Sequence, residues 1–269
     1  MLDMTNSLPK PTGPFRWVQD AGGRALPVPA LVCEPLLDWA DHLFTTRGWT
    51  LGRTAPQPGG DGWAEVADAM GVGADRLRRP RQVHGAAVVI AEQARNPLPD
   101  ADIILSTQPD LAVAVQAADC VPLLLVDRRT GAVAAAHAGW RGLAARVPEE
   151  TIQAMARAFG SRPKDLLAAI GPAIGPCCYE VGEDVRQAMV TAFSARDTAD
   201  WFTSAQSSGK WMFDTWASAR GQLAASGIPA GQIFAAELCT ASHPEAFCSY
   251  RRDGPPAGRI AAAIKPRRA

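Results

Sequence analysis

Three consecutive apolar runs in the middle of the chain most constrain what it can fold into. They cover residues 111–117, 121–126 and 132–136, and each is short, rich in Val, Leu and Ala, and bounded by polar or turn residues. Apolar runs of this length without alternation are typical of strands that are buried on both faces. The runs therefore predict a central sheet covered on both sides.

The flanking segments predict further strands and several helices. Pro148 and two glutamates begin an apolar stripe that Gly160 ends, which indicates a helix with a glycine C-cap. Because strands and helices mix without a regular βαβ period, we predict an α/β (mixed α+β) fold, a single layered domain with mixed sheets flanked by helices. Other predicted helices cover 64–70, 183–193 and 214–227, with Asp214 as a cap; other predicted strands cover 82–92, 101–106, 166–170, 233–238 and 260–264.

Domain organisation is expected to be simple. Residues 1–30 are rich in Pro and Gly and are interpreted as a partly ordered lead-in, and 31–269 as one catalytic domain. Within that domain, 48–63 has the composition of a loop. The sequence leaves the oligomeric state open between a monomer and a small homo-oligomer.

Charge and hydropathy exclude several classes of partner. Lys plus Arg and Asp plus Glu number 27 each, so the chain lacks the basic excess of a nucleic-acid or acidic-membrane binder. No apolar run reaches the roughly 18 residues of a membrane span, and the N-terminus does not have the order of a secretory signal. The chain is expected to be cytoplasmic, with its six cysteines as thiols. Cys177, Cys178 and Cys239 are interpreted as buried packing thiols.

Two histidines and one cysteine lie beside the predicted strands. His84 belongs to an Arg-Gln-Val-His-Gly segment, Cys120 precedes the second apolar run, and His137 ends the third. Imidazole and thiolate are preferred zinc ligands, and a catalytic zinc keeps three protein ligands and one open position. The separations of 36 and 17 residues are too long for a zinc finger, so the site would be assembled from strand ends. Asp119 is predicted to orient one of the metal ligands without binding the metal itself.

Two other interpretations of these residues remain open at this point. They could be two core histidines and a buried thiol, which Cys often is. Alternatively, Cys120 could be a nucleophile with His137 as its base, as in thiol hydrolases. The His-x-Glu signature of zinc base deaminases is absent, because neither His84 nor His137 has Glu two residues later.

Four further residues are predicted to contact a substrate, namely Arg47, Gln82, Trp140 and Arg141. Arg47 and Arg141 can hold a phosphate or carboxylate through their planar guanidinium groups, as can Arg251 and Arg252. The indole of Trp140 can stack on a flat ligand, and Gln82 stands two residues before His84.

Five motifs, in the same order along the chain, resemble the YfiH family. Members of that family are labelled laccase-domain or polyphenol oxidoreductases, peptidoglycan editing factors, and purine nucleoside phosphorylases. The resemblance covers about residues 42–264, and the chain departs from the family's usual Gly-Gly-Val-Ser-like turn at 48–51. The motifs are Arg-Gln-Val-His-Gly at 81–85, Ala-Asp-Cys-Val-Pro at 118–122, Ala-His-Ala-Gly-Trp-Arg-Gly at 136–142, Gly-Pro-Ala-Ile-Gly-Pro-Cys-Cys-Tyr-Glu-Val at 171–181 and Ser-Tyr-Arg-Arg-Asp-Gly at 249–254.

The resemblance carries expectations about fold, metal and activity. It implies a cysteine-hydrolase-like mixed α/β fold and a zinc ion held by His84, Cys120 and His137, which would also be the catalytic residues. It implies phosphorolysis of adenosine, inosine and methylthioadenosine, together with deamination of adenosine, so that the partners would be a nucleoside and phosphate. The editing-factor name implies an alternative, a hydrolase of cell-wall precursors that uses Cys120 with His137 or a zinc-bound water.

The laccase label can be tested by counting imidazoles. A multicopper oxidase needs a blue-copper site and a trinuclear cluster, and the four histidines of this chain cannot supply both. A single copper at the proposed zinc ligands is the remaining oxidoreductase alternative, because Cu(II) generally binds such ligands more tightly than Zn(II).

Overall fold

The computed structural model describes residues 8–21, 23–49, 51–52, 62–92 and 99–267. Its strands are β1 (Phe15–Ala21), β2 (Arg24–Cys33), β3 (Ala40–Phe44), β4 (Leu77–Arg78), β5 (Val88–Ile90), β6 (Ile103–Ser106), β7 (Ala112–Ala117), β8 (Val121–Asp127), β9 (Val133–Ala138), β10 (Leu166–Ile170), β11 (Glu180–Gly182), β12 (Phe202–Ser204), β13 (Lys210–Phe213), β14 (Ile233–Ala235) and β15 (Ile260–Pro266). Its α-helices are α1 (Trp63–Ala69), α2 (Trp140–Ala144), α3 (Val147–Phe159), α4 (Glu183–Ala192), α5 (Thr215–Ala225) and α6 (Tyr250–Asp253).

Two six-stranded sheets form the centre of the described fold. The first has the order β1-β2-β3-β15-β7-β4 and the second the order β14-β10-β8-β9-β6-β5, while β11, β13 and β12 make a small third sheet. Both large sheets are mixed, because β4 pairs parallel to β7 and β14 parallel to β10 among antiparallel neighbours. The predicted layered, mixed α/β architecture is therefore confirmed.

Alternate residues of each central strand divide between two apolar layers. In β8, Leu124 and Val126 pack between the two large sheets, whereas Leu123 and Leu125 pack towards the helices α2 to α5. All seven residues of β8 are buried, as expected of a strand covered on both faces. A third layer, with Trp63 and Val66 of α1, covers the outer face of the first sheet.

The strongest helix and strand predictions agree with the structure. The helix predicted after Pro148 is α3, whose C-cap Gly160 adopts a left-handed conformation with φ of 66°. Asp214 caps α5 by accepting a hydrogen bond from the backbone N–H of Ala217 at 2.9 Å. The strand predicted over 82–92 is shortened to β5, because 82–87 lies in an irregular loop that reaches the candidate site.

The N-terminal segment contributes to the first sheet. Residues 15–21 and 24–33 form an antiparallel pair, β1 and β2, so the 30/31 boundary proposed from composition falls within a strand. Residues 1–7 of the predicted lead-in lie outside the described residues, as do residues 50 and 53–61 of the predicted loop at 48–63. Within the described part of the chain, no helix is both long and apolar enough to cross a membrane.

Candidate metal centre and pocket

Strand register brings the cysteine and one histidine of the predicted cluster to the same end of the second sheet. β8 and β9 are antiparallel, with Val121 opposite Ala138 and Pro122 opposite His137. Cys120, which precedes β8, therefore lies beside the residues that end β9. His84 joins them from the loop before β5. The nearest ligand atoms of His84, Cys120 and His137 all lie within 4.8 Å of one another.

A glycine leaves room for this cluster. Gly139 follows β9 and faces Cys120 across the strand pair. A Cβ at this position would lie 2.8 Å from the Cys120 Sγ and 3.3 Å from the His84 Cδ2. The first distance is shorter than van der Waals contact allows, so the close approach of the sulfur and the imidazole requires glycine here.

Asp102, a residue that the sequence reasoning missed, holds two parts of the cluster together. Its fully buried carboxylate accepts a hydrogen bond from the His137 Nδ1 at 2.8 Å. The same carboxylate accepts the backbone N–H groups of Val83, His84 and Gly85 at 3.2, 3.1 and 2.7 Å. These bonds fix a loop in which His84 has a φ of 61°, a region that few non-glycine residues adopt.

The charges of the cluster support one another. Burial raises the pKa of Asp102, but hydrogen bonds from His137 and the Gly85 N–H outweigh it and leave the pKa lowered. Burial likewise lowers the pKa of His137, yet its bonds to Asp102 and Cys120 raise that pKa to about 9. For Cys120, burial raises the pKa, and hydrogen bonds from His137 and His84 bring it down to about 6. Without a metal, the cluster is thus a thiolate paired with an imidazolium.

This donor set has the chemistry of a metal site. Two imidazole nitrogens and a thiolate sulfur are ligands that zinc and copper accept. Because the Nδ1 of His137 is bound to Asp102, its Nε2 is the nitrogen free to bind a metal, the arrangement common for metal-ligating histidines. His84, Cys120 and His137 could therefore hold an ion, and Asp102 would orient one of the ligands.

The cluster forms one wall of a cavity of about 520 Å³. This volume falls within the range of about 300–1,000 Å³ that is usual for small-molecule sites. Two arginines and two tyrosines line the same cavity as His84, Cys120 and His137. The residues that line it are Gln82, His84, Gln116, Ala117, Ala118, Asp119, Cys120, His137, Tyr179, Tyr250, Arg251 and Arg259.

The predicted substrate contacts divide between the cavity and its surroundings. Gln82 lines the cavity, with its amide bonded to the backbone N–H and C=O of Gln116, both at 2.8 Å. Arg47 does not line it, and its guanidinium donates to the Pro244 carbonyl. Trp140 and Arg141 are also outside the lining, and the guanidinium of Arg141 stacks on the Trp140 ring at 4.3 Å.

Asp119 has a different role from the one predicted. Its carboxylate accepts hydrogen bonds from the Thr240 hydroxyl and the backbone N–H of Arg251, both at 2.6 Å, and it bonds neither His84 nor His137 in this way. These bonds attach the cavity wall to the segment that carries α6. Asp102 instead contacts a candidate ligand, His137, and it lies 18 residues after His84, immediately before β6, where no motif marks it.

Tyr179, Tyr250, Arg251 and Arg259 were not predicted as cavity residues, although Arg251 was noted as an anion-binding candidate. Tyr179, Tyr250 and Arg251 belong to the recognised motifs, but the motifs assign neither tyrosine a role. The guanidinium of Arg251 lies 4.9 Å from the Tyr179 ring centroid and donates to the Glu180 carbonyl at 2.9 Å.

The fold and the site together define a mixed α/β protein with a cavity of small-molecule size, lined by two histidines and a cysteine that could hold one metal ion. More particularly, the chain belongs to the family described as multi-copper polyphenol oxidoreductase laccase, whose model matches residues 60–267. The resemblance to YfiH proteins drawn from the motifs is confirmed by this match and by the similarities to known proteins.

Several relatives carry names that refer to nucleosides. The chain is 35% identical over 235 residues to a purine nucleoside phosphorylase of Deinococcus radiodurans, covering 83% of this chain and 88% of that protein. It is 32% identical to an adenosine deaminase RL5 from an unknown prokaryotic organism, covering 83% and 92%. With a purine nucleoside phosphorylase of Bacteroides thetaiotaomicron the identity is 36%, and the match spans only 65% of this chain and 64% of that protein.

A solved structure shows the same fold. The crystal structure of the Bacillus licheniformis hypothetical protein YfiH superposes with a TM-score of 0.81 at 25% identity. The similarity covers 95% of this chain and 100% of that one, so the layered sheets described above are those of the YfiH fold.

Proposed function

We propose that this protein is a zinc-dependent purine nucleoside phosphorylase, acting on adenosine, inosine and methylthioadenosine, that also deaminates adenosine. The observation that carries the proposal is the cavity itself. It joins a ligand set for one metal to two arginines, Arg251 and Arg259, within a volume suited to a small molecule. The names of the relatives point to the same class of substrate.

The metal would be held by His84, Cys120 and His137. When bound, zinc would supply a Lewis acid for a polar atom of the purine or for a water molecule. Asp102 would keep the His137 Nδ1–H fixed so that the other ring nitrogen faces the cavity. Gly139 would leave space for the Cys120 sulfur and the His84 imidazole, because it has no Cβ to crowd them.

Phosphate would bind at the arginines that line the cavity. A planar guanidinium binds phosphate oxygens through two parallel hydrogen bonds, and these bonds are strong because both partners are charged. Arg251 and Arg259 are in place for this role, whereas Arg47 and Arg141 lie outside the cavity lining. We therefore assign phosphate to the first pair instead of the pair suggested by the sequence.

Two tyrosines would contact the nucleoside. Tyr250 is 53% exposed although it lines the cavity, so its ring is available to stack on a purine. Burial, and next the negative charge of Cys120, raise the pKa of Tyr179 to about 12. Its hydroxyl therefore stays protonated at neutral pH and can donate a hydrogen bond to the departing base, which gains electron density as its bond to the sugar breaks. Gln82 would position the part of the cavity lining near Gln116, because its side-chain amide bonds both the N–H and the C=O of that residue.

The test combines metal content with product analysis. Purified protein is expected to contain about one zinc per chain and to convert adenosine to adenine only when phosphate is present, with some inosine formed in either condition. Cys120→Ala is expected to lose both the metal and the turnover. If Cys120→Ala kept the metal and both activities, the proposal would be wrong, and copper in place of zinc would favour the single-copper oxidoreductase alternative.

The phosphate assignment has a matched control within the chain. Arg259→Gln and Arg251→Gln are expected to raise the KM for phosphate at least about tenfold, because each removes a charge-assisted contact worth roughly 1.5–3 kcal/mol. Arg47→Gln also removes a guanidinium but lies outside the cavity, so it should leave that KM unchanged. An equal effect of all three substitutions would contradict the assignment.

A second candidate function has one specific observation in its favour. In the absence of metal, Cys120 is a thiolate paired with His137, which is the activated form of a cysteine hydrolase nucleophile. Hydrolysis of a muramyl-peptide precursor by metal-free protein, without added phosphate, would support this editing-hydrolase alternative. Absence of that activity, together with phosphate-dependent adenine release, would exclude it.

A further inference from the structure

A second group of sulfur ligands lies outside the cavity. Cys177, Cys178 and Cys239 place their sulfur atoms within 4.8 Å of one another, and the first two sulfurs are 3.5 Å apart. The sequence predicts all three as buried packing thiols. In the structure only Cys239 is buried, Cys178 is half-buried and Cys177 is exposed.

The local backbone explains why distant cysteines meet. Ala173 pairs with Cys239 in an isolated parallel bridge, and the chain then turns so that Cys178 donates its N–H to the Gly175 carbonyl. The Gly175 N–H donates to the Cys239 Sγ at 3.4 Å. A hydrogen bond to its sulfur favours the thiolate of Cys239, the form that binds metals, whereas burial raises the pKa of Cys177 and Cys178.

The dimensions of the sulfur triangle suit a metal ion. With metal–sulfur bonds of about 2.3 Å, three sulfurs that share one ion in a trigonal arrangement lie roughly 4.0 Å apart. One edge of the triangle, at 3.5 Å, is shorter than this value, and the others are at most 4.8 Å. Side-chain rotation of the exposed Cys177 could supply the remaining contraction.

The number and type of ligands distinguish between metals. Structural zinc sites are almost always four-coordinate with protein ligands, and among the described residues no His, Asp or Glu joins these three cysteines. Soft thiolates without nitrogen or oxygen ligands favour Cu(I), which is stable with three sulfur ligands. A disulfide between the adjacent Cys177 and Cys178 fits less well, because closing that small ring distorts the intervening peptide bond.

We propose that Cys177, Cys178 and Cys239 form a second metal site, which binds Cu(I) through three thiolates. The exposed Cys177 gives the ion access from solvent. The site is separate from the ligand set of His84, Cys120 and His137, but it adjoins the cavity wall along the chain. Tyr179 follows Cys178, and Thr240, which follows Cys239, donates its hydroxyl to Asp119.

The test titrates the full-length protein with Cu(I) alone. The protein carries Cys120→Ala, so that the thiolate of the other centre cannot contribute, and it is reduced, freed of metal by a chelator and kept anaerobic. We expect thiolate-to-Cu(I) charge-transfer absorption that saturates at one equivalent, in competition with a chromogenic Cu(I) chelator. Adding Cys177→Ser should weaken Cu(I) binding at least about 100-fold. Loss of a residue that only hydrogen-bonds a metal ligand can cost up to about 100-fold in affinity, and Cys177 would be a ligand itself.

The control removes a thiol elsewhere. Cys33→Ala in the same background takes away a cysteine that belongs to neither cluster, and it should retain one equivalent of Cu(I). Because Cys177 is exposed, Cys177→Ser should keep the melting temperature, which separates loss of a ligand from loss of the fold. Equal Cu(I) affinity with and without Cys177, exclusion of Cu(I) by Zn(II), or a disulfide among these cysteines in the anaerobic protein would each overturn the proposal.

Discussion

Replacing Asp102 by Asn isolates the role of the buried carboxylate, because the two side chains have nearly the same shape. One carboxylate oxygen accepts the N–H groups of Val83 and Gly85, and the other accepts those of His84 and His137. An Asn amide has one oxygen and one NH₂ group, so in either orientation the NH₂ group faces two N–H donors. The substitution therefore removes two of the four hydrogen bonds that this side chain accepts.

The expected cost follows from that count. A hydrogen bond to a charged group contributes roughly 1.5–3 kcal/mol, so two lost bonds lower the unfolding free energy by about 3–6 kcal/mol. At about 2–4 °C per kcal/mol for a chain of this size, the melting temperature should fall by about 6 °C or more. Metal affinity should fall about 10–100-fold, because the His137 tautomer and the His84 loop lose their support.

The measurement pairs thermal unfolding with chelator competition, and Asp119→Asn is the control. Asp119 adopts a φ of 86°, which Asn tolerates, and its partners are the Thr240 hydroxyl and one N–H. An Asn there keeps both bonds, because a hydroxyl can accept from the NH₂ group as well as donate. If Asp119→Asn reduced metal affinity as much as Asp102→Asn, the assignment of Asp102 as the residue that orients the ligands would be refuted.

Four further predictions concern the same site and the fold. Gly139→Ala should abolish metal binding at the cavity, measured by metal content, because its Cβ would lie 2.8 Å from the Cys120 Sγ; full retention would contradict the close approach of Gly139 to Cys120. In metal-free protein, alkylation of Cys120 should be half-maximal near pH 6, its lowered pKa, instead of 9.0, as read by peptide mass spectrometry. Folding also raises the pKa of His137 from 6.5 to about 9. Between pH 6.5 and 9 the lowered pKa of Cys120 makes the unfolding free energy rise with pH, and the raised pKa of His137 makes it fall, so the two effects cancel. Urea denaturation should therefore give a flat unfolding free energy between pH 6.5 and 9, and a one-proton slope there would refute the pairing. Asp214→Ala should lower the unfolding free energy by about 1 kcal/mol through loss of the α5 cap, with no change in metal content.

Local pattern predicted much of the fold. The apolar runs at β7, β8 and β9 were predicted as buried strands because nearly every residue along them is apolar, and both faces are indeed covered. α3 was predicted because its start, its apolar stripe and its terminal Gly160 are all local signals. The strand predicted over 82–92 was too long, because residues 82–87 are held in an irregular loop by Asp102, a contact that propensity does not contain.

The sequence by itself determined which residue types could bind a metal, and the motifs that resemble the YfiH family selected His84, Cys120 and His137 among them. Only the tertiary structure decided how these residues meet, since the register of β8 on β9 sets Cys120 beside Gly139. It also decided that Asp102 and not Asp119 supports a ligand, and that Arg251 and Arg259 face the cavity. Such choices depend on side-chain direction and distance across separate strands, and these quantities have no counterpart in the order of residues along the chain.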